Sequence, residues 1–516
     1  MTPTSPAPSN RSIAKNTVIL YLRQLVTVGI SLYTVRVVLN TLGVEDFGLY
    51  NLVGGIVALL SFLPSAMASA TQRYFSYALG QGDREGLRKI FSVNFIIYAS
   101  LAALALVILT TAGTWFVTDY VKIRPDRLNA ALSLYHVSIW TFTLGILTAP
   151  FQAIITAHEE FSLFAGISIA DACSKLGAIL LLTLLPGEKL VLYGTLLLAV
   201  SILVGGIYLI VCLYRYPECQ FRRLFWDSLL FREIIGFTGW TLFGQLTTVA
   251  RNQAVTILLN QAFNPVTVAA RAIALNIAGQ ATTLSTNFNA SLYPPIIKAY
   301  AAGERDRMYA LIYNGSKITF SLMWILAMPL LLQMDTILSI WLKQPPAGAV
   351  LFTRLAIVET LILAISLPLA TAARAPGKMA MYESVLGAIQ FAIFFSSWFV
   401  LWLGAPAYSV FIVAIIANLV MFGVRLFIVQ KLIAIPVRGF LNHVAWPVLA
   451  IMAASSIPAI VLAQLTPQTL VYKAIGTLLA ALWAALCVYR LGLTQESRTK
   501  VAELIHTKLR KLTLLP

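Results

Sequence analysis

Arg251 stands near the middle of an apolar run at 234–262, one helical turn from Thr248 and beside Asn252, and that run contains no acidic residue. An arginine at the centre of a spanning helix costs roughly 2.5–3.5 kcal/mol on insertion scales, so its presence predicts a task. Arg23 is placed similarly, about two turns inside an apolar run at 16–39. Guanidinium groups grip phosphate oxygens in pairs, and partial dehydration strengthens the attraction. The chemistry these residues predict is anion binding. Covalent catalysis is not expected: there is no cluster of His, Cys, Asp or Glu at metal-ligand spacing and no phosphate-cradling loop. No catalytic residue, metal or cofactor is therefore assigned.

Amides and hydroxyls accompany the arginines. Gln24, Thr27, Ser31 and Thr34 are spaced three, four and three apart, which places them on one helical face. The pattern returns 221 residues later as Gln245, Thr248 and Asn252, and Leu25 and Val28 recur as Leu246 and Val249. A second seam, Asn276, Gln280, Thr283 and Asn287, follows in the run at 266–289. A helix facing lipid all round has no use for such a seam. Hydrogen bonding between packed helices is the plain explanation, but packing does not call for an uncompensated arginine. The expected binding set is therefore Arg23, Arg251 and Arg271 with Gln24, Thr27, Ser31, Gln245, Thr248, Asn252, Asn276, Gln280, Thr283 and Asn287. Other charges in apolar runs have simpler readings. Asp171 and Lys175, four apart, neutralise each other. Arg36, Arg271, Arg354, Arg425 and Lys473 lie close enough to run ends to snorkel. Glu359 and Glu383 are the remaining acidic groups.

The elements that must position these residues are membrane spans. Hydrophobic residues make up 59% of the 516 and charged ones 11%, where a soluble domain carries about 25% charged. Fourteen apolar runs reach spanning length: 16–39, 47–70, 90–117, 130–156, 161–185, 190–213, 234–262, 266–289, 308–333, 349–372, 380–403, 406–430, 444–465 and 469–490. With the N-terminus inside, the outer connections hold only Lys122, Arg124, Arg127, Lys189 and Lys343, and all other connecting cations fall inside. The positive-inside rule then places both termini in the cytoplasm. The net charge of +17 is read as this topology signal, not as a nucleic-acid footprint. Cys173, Cys212, Cys219 and Cys487 form no C-x-x-C pair and read as small core residues. No charged n-region with a cleavage site opens the chain, so the first run is expected to direct insertion itself.

Duplication organises the spans. Gly82-Asp83-Arg84-Glu85 matches Gly303-Glu304-Arg305-Asp306, again at offset 221, and Pro150 answers Pro368 at offset 218. Six spans per repeat give both halves the same orientation, related by a pseudo-two-fold axis along the membrane normal. The expected fold is all-α and polytopic, with 14 transmembrane helices in two pseudo-symmetric six-helix bundles plus two C-terminal helices. The expected divisions are an N-terminal bundle at 1–213, a cytoplasmic linker at 214–233, a second bundle at 234–430, two additional spans at 431–490 and a basic cytoplasmic tail at 491–516. The linker carries Phe221-Arg222-Arg223 and Phe225-Trp226 and is expected along the inner membrane surface. The tail from Arg490 onward reads as a basic amphipathic helix.

Phe47-Gly48-Leu49-Tyr50, Gln72-Arg73-Tyr74-Phe75, Gly82-Asp83-Arg84-Glu85 and Thr156-Ala157-His158-Glu159-Glu160-Phe161 resemble the polysaccharide-exporter branch of the MOP superfamily, the Wzx-type O-antigen flippases. The resemblance covers nearly the whole chain. It implies a bacterial inner-membrane transporter that carries undecaprenyl-diphosphate-linked oligosaccharide from inner to outer leaflet by alternating access, in O-antigen, capsule or exopolysaccharide assembly. It also implies a cation-lined cavity, and as partners the lipid-linked oligosaccharide, membrane lipids and a polysaccharide polymerase with other assembly proteins. Arg23 and Arg251, with Arg271, would hold the diphosphate, while the seams would meet water and sugar hydroxyls. The alternative is an ion-coupled multidrug exporter of the MATE type in the same superfamily, which needs a membrane-embedded carboxylate. The seam-bearing spans have none. A membrane glycosyltransferase or polymerase would need a large catalytic loop, and the outer connections are short. The chain reads as a non-enzyme.

Overall fold

The computed structural model describes residues 10–58, 62–119, 125–221, 225–263, 265–342, 345–465, 469–492 and 498. The expected tail helix, Arg222 and Arg223 of the linker and the side chain of Arg36 lie outside the described residues. Among the described residues every regular element is a helix. Contacts divide the chain into two compact units, Met1–Gln245 with Ile297–Glu304, and Leu246–Ile296 with Arg305–Pro516.

In the first unit the helices are α1 (Asn10–Ala58), α2 (Phe62–Gln81), α3 (Arg84–Asp119), α4 (Leu128–Ala157), α5 (Phe161–Leu184) and α6 (Lys189–Arg215). The expectation of two spans at 16–39 and 47–70 with a connection between them is corrected here, because α1 is helical through 40–46. The duplicated position shows why. Pro265 opens a new helix in the second half, its fixed φ and missing N–H suiting a first helical turn; 221 residues earlier stands Val44, which gives the backbone no reason to stop. Packing centres on Leu134, Tyr135 and Ile139 of α4 with Ile179 and Leu182 of α5 and Leu190 and Tyr193 of α6. Within α3, Leu109–Gly113 widens into a π-turn, and the Tyr135 hydroxyl donates to the Leu109 carbonyl at 2.9 Å. Gly113 makes that approach feasible, since a Cβ there would collide with the tyrosine oxygen.

The second unit contains the C-terminal part of α7 (Ser228–Ala262), most of α8 (Pro265–Ala301), and α9 (Arg305–Leu342), α10 (Ala349–Ile365), α11 (Leu367–Arg374), α12 (Met379–Trp402), α13 (Ser409–Ile433), α14 (Val437–Val461) and α15 (Leu470–Gly492). The expected tenth span, 349–372, is broken at Ser366, and its two pieces are bent by 41°. Pro368 sits in the first turn beyond the break, where its absent N–H costs nothing. Trp324 Nε1 donates to Ser455 Oγ at 2.8 Å and fastens α9 to α14, one of the two helices outside the duplication.

Among the described residues nine helices are long and apolar enough to cross a membrane, and the bent α10–α11 pair makes a tenth. The chain is a multi-pass membrane protein. Helices α7 and α8 fall outside that set because their arginines and amides lower the mean hydropathy, not because they are short. Against the expected fourteen, nine or ten described helices qualify as apolar crossings.

The duplicated turn appears at both repeat positions with matching geometry. Gly82 (φ +71°) and Gly303 (φ +76°) adopt the left-handed conformation. Asp83 N–H donates to the Ala78 carbonyl at 3.0 Å, and Glu304 N–H to the Ala299 carbonyl at 2.9 Å, the same bond 221 residues apart. This is the helix-ending arrangement that glycine permits. The turn between α4 and α5 is tied by charge. His158 Nε2 donates to Glu218 Oε1 at 2.7 Å and its ring stacks on Tyr216. Glu159 pairs with Lys298 at 2.7 Å, and Glu160 with Arg215 at 2.9 Å. Phe221 of the linker packs its ring against Phe91 and Phe95 of α3.

Burial alone would raise the Glu218 carboxyl, but the His158 hydrogen bond, its own backbone N–H and the charges of His158 and Arg88 outweigh burial and hold it below its ordinary value. A carboxylate depressed in this way stabilises the fold fully above the ordinary value of 4.5, and the contribution is lost as pH falls through the depressed value. Glu218→Gln is expected to remove about 2 kcal/mol at neutral pH, read as a lowered thermal midpoint. The gap between variant and wild type should close on acidification below pH 4.5.

Candidate functional site

Each unit contains a cavity, and seven of the thirteen predicted residues divide between the two. In the first unit the space measures about 560 Å³ and is walled by α1, α4, α5 and α6. From α1 come Arg23, Thr27, Ser31 and Thr34, the predicted seam with the arginine added and Gln24 left out. Spacings of four, four and three keep them on one stripe. Thr141, Gly145, Thr148 and Gln152 form the α4 wall, Phe164, Ser168, Asp171 and Lys175 the α5 wall, and Ser201, Gly205 and Tyr208 the α6 wall. Asp171 and Lys175 pair at 2.8 Å across one helical turn, as their spacing predicts. Arg23 lies over the Phe164 ring at 5.2 Å from its centroid, and its Nε is buried without a hydrogen-bond partner.

The second cavity, about 300 Å³, is lined by Thr248, Arg251, Asn252 and Val255 of α7 and by Arg271, Leu275, Ala278 and Gly279 of α8, facing Glu359 of α10 and Ala414 of α13. Here the expectation of an uncompensated Arg251 is corrected. Its Nη1 donates to Glu359 Oε1 at 3.2 Å and its Nη2 to Asn252 Oδ1 at 2.9 Å. Asn418 Nδ2 donates to the same Glu359 oxygen at 3.0 Å. Arg271 does not snorkel either. It is 6% exposed, and its Nη1 donates to the Asn252 carbonyl at 3.3 Å and to the Thr256 hydroxyl. The Nε atoms of both arginines are buried without partners. Two guanidiniums and one carboxylate therefore share one small space, and one positive charge is left over.

Several predicted residues lie off the cavities. Gln245 precedes the α7 stripe, and Asn276, Gln280, Thr283 and Asn287 line neither space. On α8 the cavity takes Arg271, Leu275 and Ala278, one position away from that seam, and one position is about 100° of helix rotation. Asn276 and Gln280 are exposed, and the Thr283 hydroxyl donates to the Gly279 carbonyl. The end-of-span cations Arg354 and Arg425 hold protein groups: Arg354 pairs with Asp335 at 2.6 Å, and Arg425 donates to the Ser366 hydroxyl. Cys212, Cys219 and Cys487 are buried as expected, whereas Cys173 is exposed. The residues sequence reasoning missed are Glu359 as a partner, Asn418, and Gln152 with Tyr208. Glu359 alone carried a signal, as a carboxylate inside an apolar run.

No family model matches the chain. Membrane protein EpsK of Bacillus subtilis strain 168, itself uncharacterized, is 30% identical over 160 residues, and the match spans only 31% of either chain. The solved structures reach much further. An outward-facing multidrug resistance MATE family transporter of the MOP superfamily aligns over 82% of this chain and 96% of its own, with a TM-score of 0.69 and 14% identity. The chain has the MATE fold. A MOP superfamily transporter from Pyrococcus furiosus, whose binding pocket is described as reversed in polarity, shares this fold with a TM-score of 0.65 and 14% identity over 82% of this chain and 95% of that one. A MATE protein in complex with MaD3S reaches 0.71 at 14% identity, covering 82% and 96%. The two-bundle, all-helical expectation thus agrees with the MATE fold, and these structural relatives are transporters.

Proposed function

We propose that this MATE-fold protein is a flippase that moves undecaprenyl-diphosphate-linked oligosaccharide, an O-antigen, capsule or exopolysaccharide repeat unit, from the inner to the outer leaflet of the bacterial inner membrane. The observation that carries the reading is the surplus positive charge of the Arg251–Arg271–Glu359 cavity. Arg251 and Arg271 hold the diphosphate, because a guanidinium offers paired donors where phosphate oxygens are purely acceptors. Arg23 supplies a further cationic contact to the polar head of the cargo, and the hydroxyl seams meet water and sugar. The lipid tail stays in the bilayer while the head crosses, and alternating access follows from rocking of the repeats.

The test is mass spectrometry of lipid-linked intermediates in cells depleted of the protein. An undecaprenyl-diphosphate oligosaccharide is expected to accumulate and to be cleared by wild type. Arg251→Ala is expected to leave it uncleared, since loss of a buried charge contact of this kind costs roughly 2–5 kcal/mol of binding. An unchanged lipid pool would sink the reading. One observation favours the MATE-type exporter as a second reading: Glu359 is a membrane-embedded carboxylate beside the arginines, the kind of group an ion-coupled exporter requires. Depleted cells that keep a normal lipid pool and become sensitive to cationic drugs would establish it.

A further inference from the structure

The cavity of the first unit has chemistry that a diphosphate does not match. Four of its wall hydroxyls are committed as donors to their own helices: Thr27 to the Gln24 carbonyl, Thr141 to Val137, Thr148 to Leu144 and Ser168 to Phe164, at 2.7–3.1 Å. A hydroxyl that has given its proton to the backbone offers only lone pairs to the cavity. These four oxygens give the wall a set of acceptors that a ligand bringing donors would satisfy. Phosphate and diphosphate bring none. A sugar ring, with several hydroxyls, does.

Charge narrows the class further. Asp171 and Lys175 neutralise each other, so Arg23 is the one charge left unbalanced among the described lining residues. Its Nε has no partner, and neither does the buried Thr34 hydroxyl. An unpaired charge in a membrane interior is costly, and a single carboxylate on the ligand would balance it. Phe164, under the guanidinium, gives one apolar face beside the polar ones. About 560 Å³ lies within the ~300–1,000 Å³ typical of small-molecule sites.

We infer that the cavity walled by α1, α4, α5 and α6 is a binding site for an acidic sugar residue, of the uronic acid class, with Arg23 on its carboxylate and the wall hydroxyl oxygens accepting from its ring hydroxyls. The inference rests on the flippase reading and extends it: the cargo glycan carries an acidic sugar, recognised apart from the diphosphate. A cationic drug is disfavoured by the surplus positive charge.

The test uses purified full-length protein in detergent and saturation-transfer NMR with three probes: methyl glucuronide, methyl glucoside and inorganic pyrophosphate. The glucuronide is expected to bind about tenfold more tightly than the glucoside, the worth of one charge-assisted hydrogen-bond pair beyond a neutral one. Arg23→Gln is expected to erase that preference. Gly145→Leu is expected to abolish binding of both sugars: Gly145 lines the space with nothing within 4 Å of a built Cβ, and leucine is the better helix former. Gly279→Leu, which fills the other cavity, is expected to leave the glucuronide bound. Equal binding of the two glycosides, displacement of the glucuronide by equimolar pyrophosphate, or binding that survives both Arg23→Gln and Gly145→Leu would overturn the inference. Its failure is separable from that of the flippase reading. If depletion still accumulates lipid-linked oligosaccharide, only the sugar site falls. If no such lipid accumulates while the glucuronide binds as described, the flippase reading falls and the sugar site stands.

Discussion

Glu359→Ala should destabilise the second unit by roughly 3–5 kcal/mol, the cost of stripping one partner from a buried ion pair. Glu359 is 8% exposed. It accepts from Arg251 at 3.2 Å and from Asn418 at 3.0 Å, so its removal leaves a guanidinium half-paired and an amide donor unmet. Arg251 would keep Asn252, but a neutral amide oxygen does not balance a charge. The double variant Arg251→Met with Glu359→Leu separates stability from function. Well-packed apolar side chains in place of a buried pair are commonly neutral or stabilising, so the thermal midpoint of the purified protein should recover to near wild type. On the flippase reading transport should not recover, because the double variant has also lost the guanidinium that this reading assigns to the cargo. A double variant that folds and still clears lipid-linked intermediates would reduce the pair to a packing device and remove Arg251 from the mechanism. Glu359→Gln adds a finer measurement. It keeps the shape and an acceptor oxygen but frees the full charge of Arg251, so pyrophosphate should bind more tightly than to wild type.

That pair also shows where the sequence stops being informative. Local patterns survive into the structure because they are set by neighbours along the chain. Gly82 and Gly303 take the same left-handed turn because only glycine enters that region without a Cβ penalty. Asp171 and Lys175 meet because four residues make about one turn. The stripe from Arg23 to Thr34 holds together for the same reason. Which helix faces which is a different kind of fact. Arg251 and Glu359 are 108 residues apart, and nothing in either run says that α7 and α10 share a cavity. Rotation about a helix axis is similarly hidden. The α8 seam of Asn276, Gln280, Thr283 and Asn287 has flawless spacing, yet the cavity takes the stripe one residue away, beginning at Arg271. Polarity marks a face as not lipid-like without saying what the face meets. The continuous α1 belongs to the same lesson: a short polar interval at 40–46 resembles a connection, but without proline or glycine in the right place the helix does not have to end there.

Gly279→Leu should abolish transport while leaving the fold at least as stable as wild type. Gly279 lines the second cavity, and a Cβ built on it meets nothing within 4 Å, so the added side chain extends into empty space instead of into a neighbouring helix. Overpacking strain is therefore not the expected effect. Leucine in place of a mid-helix glycine should contribute up to about 1 kcal/mol through helix propensity. Against that gain stands a space of about 300 Å³, much of which an isobutyl group and the water it displaces would remove from any ligand. The flippase reading requires that space for the diphosphate beside Arg251 and Arg271, so lipid-linked intermediates should accumulate as in depleted cells even though the variant inserts and melts normally. Pyrophosphate binding should fall in parallel. A variant that transports at the wild-type rate would mean that the guanidiniums act from outside this space, and that the cavity between α7, α8, α10 and α13 is only where they rest. Since Arg251 is held there by Glu359 and Arg271 by Thr256, resting and working positions can be told apart by pairing Gly279→Leu with Glu359→Gln: release of Arg251 would restore transport to the filled cavity only if the arginine works elsewhere.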